Sequence, residues 1–376
     1  MRSREALGAA DVTDAQLAAM VADLLHEDEV ELLDSRVEPV DYHLPAITTG
    51  GRWWVCGHAA TPCAKAPFRL FVKQVQSWSR SPLFVHVPEE LREWAAATVP
   101  WRTEADVYRS PLAELLPAGL GAPRAVGVFD LDETSSSIWL EEVPTQPATW
   151  DRTRYERAAF LLGRFSGKRA LAPLVGLRHM DWTMGVYAAG RLDTQVVPIL
   201  MSDEVWQHPL CAAFDEELKG RLREAAEAAT ALAAEADALP SLLSHGDACP
   251  NNLLAGPDGD FVMIDFGFLG AAPVAFDLSQ LLVGDVQIGR RAAGGLAELD
   301  EAIVAAYVAG LRAEGCGLPE AQVRRGHALC LLLMTGLSAL PFDLFDRPVD
   351  EETLRIAADR AELARFALDL EVATRG

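Results

Sequence analysis

Apolar residues repeat at helical spacing in the opening stretch, where Leu17, Met20, Val21, Leu24 and Leu25 fall on one side of a predicted helix. Thr13 and Gln16 form a capping-box pair that sets its start. From Val30 to Gln74 the pattern tightens into short runs rich in β-branched and aromatic residues. Val37–Tyr42, Arg52–Val55 and Arg69–Val75 each predict a strand, and Gly50-Gly51 predicts a turn between two of them. A helix is expected around Trp101–Leu116, followed by strands at Ala125–Phe129 and Ser137–Val143. Past Pro144 the period changes to long Ala-, Leu- and Arg-rich helical runs: Arg154–Lys168, Glu216–Ala238, Glu298–Glu314, Glu320–Leu340 and Glu351–Thr374. One sheet-like island, Ser244–Gly270, interrupts them. There is no internal repeat and no low-complexity tail. The expected architecture is α+β, with a β-rich lobe over 1–140 and a mainly helical lobe over 141–376.

Composition adds limits. The chain has 376 residues and is 50% hydrophobic, enough for a large core. Its longest greasy stretch, Ala328–Phe342, is broken by Gly336 and Pro341 and reads as a buried helix, too short to cross a bilayer. Met1–Glu5 lacks the apolar run of a signal peptide, so a cytoplasmic location and no membrane partner are expected. The six cysteines are scattered without CxxC spacing or a His/Cys cluster, and read as reduced packing thiols. Net charge is −22, from 55 acidic and 33 basic residues, with no basic stripe, so no nucleic-acid partner is expected. Such a balance could steer a cationic substrate, and it equally serves solubility.

The island carries the chemistry. His245-Gly246-Asp247 is followed by Asn252, five positions after Asp247, then by a turn at Gly256–Gly259 and an apolar strand ending in Asp265-Phe266-Gly267. Phosphoryl transfer needs a carboxylate to accept or orient the proton of a hydroxyl, and oxygen ligands for magnesium. Asp247 suits the first task; Asn252 and Asp265 suit the second. A hairpin between them would bring all three together.

This combination resembles the catalytic and metal loops of the aminoglycoside phosphotransferase family, the small-molecule branch of the protein-kinase-like superfamily. Gly246 stands where protein kinases carry Arg, and no Ala-Pro-Glu segment follows Asp265, which counts against a protein kinase. The resemblance implies a two-lobed kinase-like fold, ATP and Mg2+ as cofactors, and a small-molecule hydroxyl as acceptor. It implies that His245 holds the catalytic loop and that Asp277, in Ala272–Leu278, is structural. Lys73 resembles the phosphate-pairing lysine, and Glu104 its helix partner, favoured over Asp106 because Tyr108 follows four positions on. Gly50 and Gly51, in Gly50–Gly57, resemble a nucleotide-covering loop. Glu141 and Val143 would offer backbone to the adenine, with Leu140 lining the back of that pocket.

Two positions depart from the family. Cys249 replaces a phosphate-facing lysine of protein kinases, leaving the compensating charge to the metals, to Lys73 or to another base. Asn251, beside Asn252, stands where Gly is common. The substrate pocket is expected from residues 170–215 and 300–350, whose acid–aromatic stretches Arg178–Trp182, Met201–Glu204 and Phe342–Asp346 could hold an amine-bearing sugar or serve as caps and turns. An antibiotic, a nucleoside or a metabolite such as choline all fit the family. The alternative to an active kinase is a nucleotide-binding pseudokinase; the presence of Lys73, Glu104, Asp247, Asn252 and Asp265 favours the enzyme.

Overall fold

Strand alternation sorts the first lobe. In the computed structural model, which describes residues 2–40, 46–145, 148–256 and 259–375, the first half contains β1 (Arg2–Ser3), α1 (Asp14–Leu25), β2 (Glu31–Pro39), β3 (Thr49–Ala60) and β4 (Lys65–Gln76). After these come α2 (Arg92–Thr98), α3 (Thr103–Arg109), α4 (Leu112–Leu115), β5 (Leu120–Gly121), β6 (Ala125–Asp132) and β7 (Ser135–Glu141). Six strands form one sheet in the order β1-β2-β3-β4-β7-β6. Leu70 and Val72 of β4 face α1, packing with Leu17, Met20, Val21 and Trp139, while Val75 faces α3 with Ala105, Ile138 and Leu140. The period of two therefore puts Lys73 on the α3 side. The capping box at Thr13 and Gln16 is present and fixes the start of α1.

Gly50 and Gly51 do not form the predicted turn. Both lie inside β3, where the register with β4 shifts between Thr49 and Gly51. A Cβ on Gly51 would sit 2.1 Å from the Trp53 ring, so close packing at a bulge accounts for this glycine. β2 ends at Pro39 and β3 begins at Thr49; the Asp41–Tyr42 end of the first predicted strand lies outside the described residues. The expected Trp101–Leu116 helix is split into α3 and α4. Leu112, Leu116 and Leu120 pack into the helical core, and β5 pairs with a strand of the island before β6 and β7 return to the large sheet.

The second half comprises α5 (Arg152–Gly167), α6 (Met184–Tyr187), α7 (Val197–Met201), α8 (Glu216–Glu227), α9 (Ala229–Asp237), β8 (Ser241–Ser244), β9 (Leu253–Ala255) and β10 (Phe261–Met263). It continues with β11 (Gly270–Pro273), α10 (Phe276–Gln287), α11 (Leu296–Ala313), α12 (Glu320–Leu331) and α13 (Glu351–Ala373). The predicted Glu216–Ala238 helix breaks at Ala228, and Glu320–Leu340 is α-helical only to Leu331, then widens into a buried π-type turn over Leu332–Gly336. Among the described residues no helix is long and apolar enough to cross a membrane. The island forms two small antiparallel pairs, β8 with β11 and β9 with β10. The Pro257-Asp258 part of its predicted turn lies outside the described residues.

Candidate active site

The catalytic loop leaves β8 at Ser244 and is held from below by one carboxylate. Asp277, buried in the first turn of α10, accepts from Ser244 Oγ (2.7 Å) and Gly246 N–H (2.9 Å) through Oδ1, and from His245 N–H (2.8 Å) through Oδ2. His245 is fully buried, with Nε2 3.0 Å from the Ile264 carbonyl and Nδ1 3.3 Å from Asp247 N. A carbonyl can only accept and an amide N–H only donate, so Nε2 carries the proton and Nδ1 accepts. The ring thus ties the loop to the strand leading into Asp265. Gly246 has φ +85°, and a Cβ there would lie 2.2 Å from the Phe268 carbonyl oxygen. Left-handed backbone alone costs a residue with a Cβ about 1–2 kcal/mol. Gly246→Ala is therefore expected to lower Tm by several degrees and to reduce turnover by displacing Asp247; an unchanged melting curve would contradict this reading of the loop.

Beyond the loop the predicted residues converge. Asn252 Nδ2 donates to Asp247 O (2.8 Å) and Asp247 Oδ2 (2.9 Å), which leaves its Oδ1 as a spare acceptor. Asp265 takes a left-handed backbone (φ 63°), and its Oδ1 accepts from Lys73 Nζ at 2.9 Å. Lys73 Nζ also lies 2.5 Å from Glu104 Oε2, both side chains being buried. Asp106 points elsewhere, to Arg102, Arg109 and His179. Tyr108, one turn past Glu104, sets its ring edge on Phe266 (5.7 Å), which in turn packs on His245 (5.2 Å). Asn251 is turned away, its Oδ1 accepting from Arg290.

Burial and charge oppose each other here. Burial would lower the Lys73 pKa, but Asp265 and Glu104 together raise it. Burial also resists ionising Asp265, yet Lys73, with help from Arg52, holds its carboxyl below the usual range. Glu104 is pushed up to about 7 by burial, only partly countered by Lys73. One ammonium facing two carboxylates keeps Asp265 ionised and leaves Glu104 the easier of the two to protonate. Burial likewise raises Asp247.

Lys73, Glu104 and Asp265 border a cleft of about 330 Å³ lined also by Leu140, Glu141 and Val143 among others; Asp247 and Asn252 are outside its lining. The Glu141 N–H is engaged by the Arg124 carbonyl (3.0 Å), and its side chain caps the Arg124 N–H (2.9 Å). Gly50 and Gly51 do not line the cleft; Arg52, next in the same strand, does. Arg52 pairs across the sheet with Lys73 and adds positive charge to the field at Glu104 and Asp265. Hairpin register was the signal for it, since Arg52 and Lys73 share a face. Burial, with the charge of Asp247, pushes the Cys249 thiol up to about 12, so it stays protonated.

Among the described residues no cluster of three or more His, Cys, Asp or Glu could hold a metal. Asn252 Oδ1 and the second oxygen of Asp265 are the free donors, a pair that suits Mg2+ completed by nucleotide phosphates and water. A second cavity, of about 710 Å³, lies between the segment 78–100 and residues 182–195. Part of the expected pocket wall, 170–215, is there; 300–350 contributes nothing to it. Asp343 pairs with Arg360 and Asp203 with Arg223 instead.

Residues 155–318, which include Asp247, Asn252 and Asp265, match the family described as the phosphotransferase enzyme family. No curated protein sequence matches the chain. Among solved structures, the GDP and kanamycin complex of APH(2")-IIia superposes with a TM-score of 0.51 at 12% identity, over 94% of this chain and 99% of that one. An amicoumacin kinase with AMP-PNP, Ca2+ and Ami gives 0.48 at 14% identity, over 88% and 90%. An aminoglycoside phosphotransferase from Alicyclobacillus acidocaldarius gives 0.48 at 16%, over 89% and 92%. The superposition on the kanamycin complex shows a shared fold, a β-sheet lobe followed by a helical one, across nearly the whole chain.

Proposed function

We propose that this phosphotransferase is an ATP- and Mg2+-dependent kinase that phosphorylates a hydroxyl of a small molecule, with Asp247 as the base. The observation that carries this is the joining of Lys73, Glu104 and Asp265 at one cleft, with the Asp247–Asn252 pair near enough for the Asp265 charge to act on Asp247. Lys73 and Arg52 bind and orient the phosphates. Glu141 and Val143 present backbone to the base, and Asn252 fixes the Asp247 carboxylate by its amide. Asp247 accepts the hydroxyl proton as the substrate oxygen bonds to the γ-phosphorus and the bond to ADP breaks. Bound Mg2+, held by Asn252 and Asp265, supplies neutralisation of the phosphate charge. ATP as donor points to the cytoplasm as the working compartment. The pseudokinase alternative has no observation in its favour, since no member of the set is missing.

Two measurements test this reading. ADP release with Mg-ATP and a panel of alcohols should be stimulated by one chemical class. Asp265→Ala should weaken magnesium-dependent nucleotide binding by about tenfold or more, and an unchanged magnesium titration would remove Asp265 from the metal site.

A further inference from the structure

The larger cavity has a lining that the chain's overall charge does not foretell. Its wall includes Trp78, Trp94, Trp182, Tyr187 and Phe268, and none of its described lining residues is Asp or Glu. The charged or titratable groups on it are His86 and Arg191, alongside the Tyr187 phenol. Glu89, Glu90 and Glu93, on the same segment as Trp94, are exposed and outside the lining. Trp94 and Phe268 are 42% and 40% exposed, so two large apolar rings face solvent at the cavity. Exposed large apolar surface gathered in one concavity marks a binding site. The indole N–H of Trp78 is buried without a hydrogen-bond partner among the described residues.

The cavity is built, and it adjoins the catalytic loop. Trp94 crosses to Gly190, where a Cβ would fall 2.2 Å from its ring; only a glycine admits this contact between the segment 78–100 and the helical lobe. Phe268 follows the Asp265-Phe266-Gly267 turn, and its carbonyl lies against Gly246, the neighbour of Asp247. Arg178 fixes the same carbonyl at 2.9 Å. Trp182 stacks edgewise on Phe276 (5.5 Å), the residue beside Asp277. Phe268 thus links the cavity wall to the loop that carries Asp247.

We propose that the acceptor is a bulky, mainly apolar alcohol that is neutral or anionic, and not an amine-bearing sugar. A polycation would leave its hydration for a cavity whose described lining offers one guanidinium and no carboxylate, and cation–π contact with the rings offsets only part of that loss. An apolar ring system would instead cover Trp94 and Phe268, with oxygen atoms free to accept from Trp78 and Arg191. This rests on the kinase reading for the chemistry, whereas the binding stands on the cavity alone.

The test uses the full chain with Mg-ATP and five probes: hydrocortisone and brefeldin A as neutral apolar alcohols, cholate as an anionic one, and kanamycin and choline as cations. Binding is read by tryptophan fluorescence and turnover by ADP release. At least one apolar alcohol should bind about tenfold tighter than either cation and stimulate ADP release. Trp94→Ala should raise its KM about tenfold with kcat little changed. Arg191→Glu, at an exposed position, should weaken cholate more than hydrocortisone. Stimulation by kanamycin or choline alone overturns the proposal and leaves the kinase intact. Failure of every apolar probe to bind also overturns it, and nucleotide titration of the same samples reports separately on the kinase. Binding of an apolar alcohol that Trp94→Ala abolishes, without ADP release, supports the site and counts against the kinase reading.

Discussion

Asp247→Asn is expected to bind Mg-ATP with nearly the wild-type Kd and to lose about 10²–10⁴ in kcat, the usual contribution of a positioned general base. The substitution keeps the shape of the side chain and an oxygen that can still accept from Asn252 Nδ2, now 2.9 Å from Asp247 Oδ2. What it removes is the capacity to take a proton. Lys73, Glu104 and Asp265 touch neither atom that changes, so the nucleotide cleft should be unaffected. Nucleotide titration beside initial-rate ADP release separates the two effects. Undiminished turnover would remove Asp247 as the base, and lost nucleotide binding would show a structural role instead.

Asp277→Ala should produce the largest loss of stability. Its carboxylate is 2% exposed and receives donors from Ser244, His245 and Gly246. Truncation strands three polar groups in a dry environment, and breaking such a buried charged network costs about 3–5 kcal/mol. The catalytic loop loses its frame at the same time, so turnover should fall in the fraction that remains folded. Chemical denaturation of the variant beside wild type measures the first effect. A change below about 1 kcal/mol, within the range of ordinary surface substitutions and small losses, would show that the loop is held by other contacts.

The catalytic loop was the most legible part of the sequence because its chemistry is local. Asp247 and Asn252 lie on one loop, and the hairpin that follows has little freedom to place Asp265 anywhere but beside them. Lys73 and Glu104 were readable only through the family resemblance, and the structure joins them because the period of two in β4 puts Lys73 on the α3 side. Asn251, beside Asn252 in sequence, separates from it in space because Arg290 draws Asn251 outward. The glycine pair misled, since Gly50 and Gly51 serve a bulge and ring packing, and sequence alone does not tell a bulge from a turn. The large cavity was the least legible feature. One wall comes from the 3₁₀ turns Trp78–Arg80, Pro82–His86 and Glu89–Leu91 with the two-turn helix α2, and the other largely from a π-type stretch over Ala188–Val196. Their aromatic residues become a site only when distant segments meet. The acidic stretches that hinted at a cationic ligand are spent on Arg223 and Arg360.

The most direct test of the central claim follows a labelled γ-phosphate from Mg-ATP into the acceptor, with wild type and Asp247→Asn side by side. Transfer of label to an alcohol oxygen by wild type, and its loss in the variant at unchanged nucleotide occupancy, is the predicted result. Label that appears only as inorganic phosphate, or that reaches the acceptor equally well in both proteins, would contradict a small-molecule kinase working through Asp247.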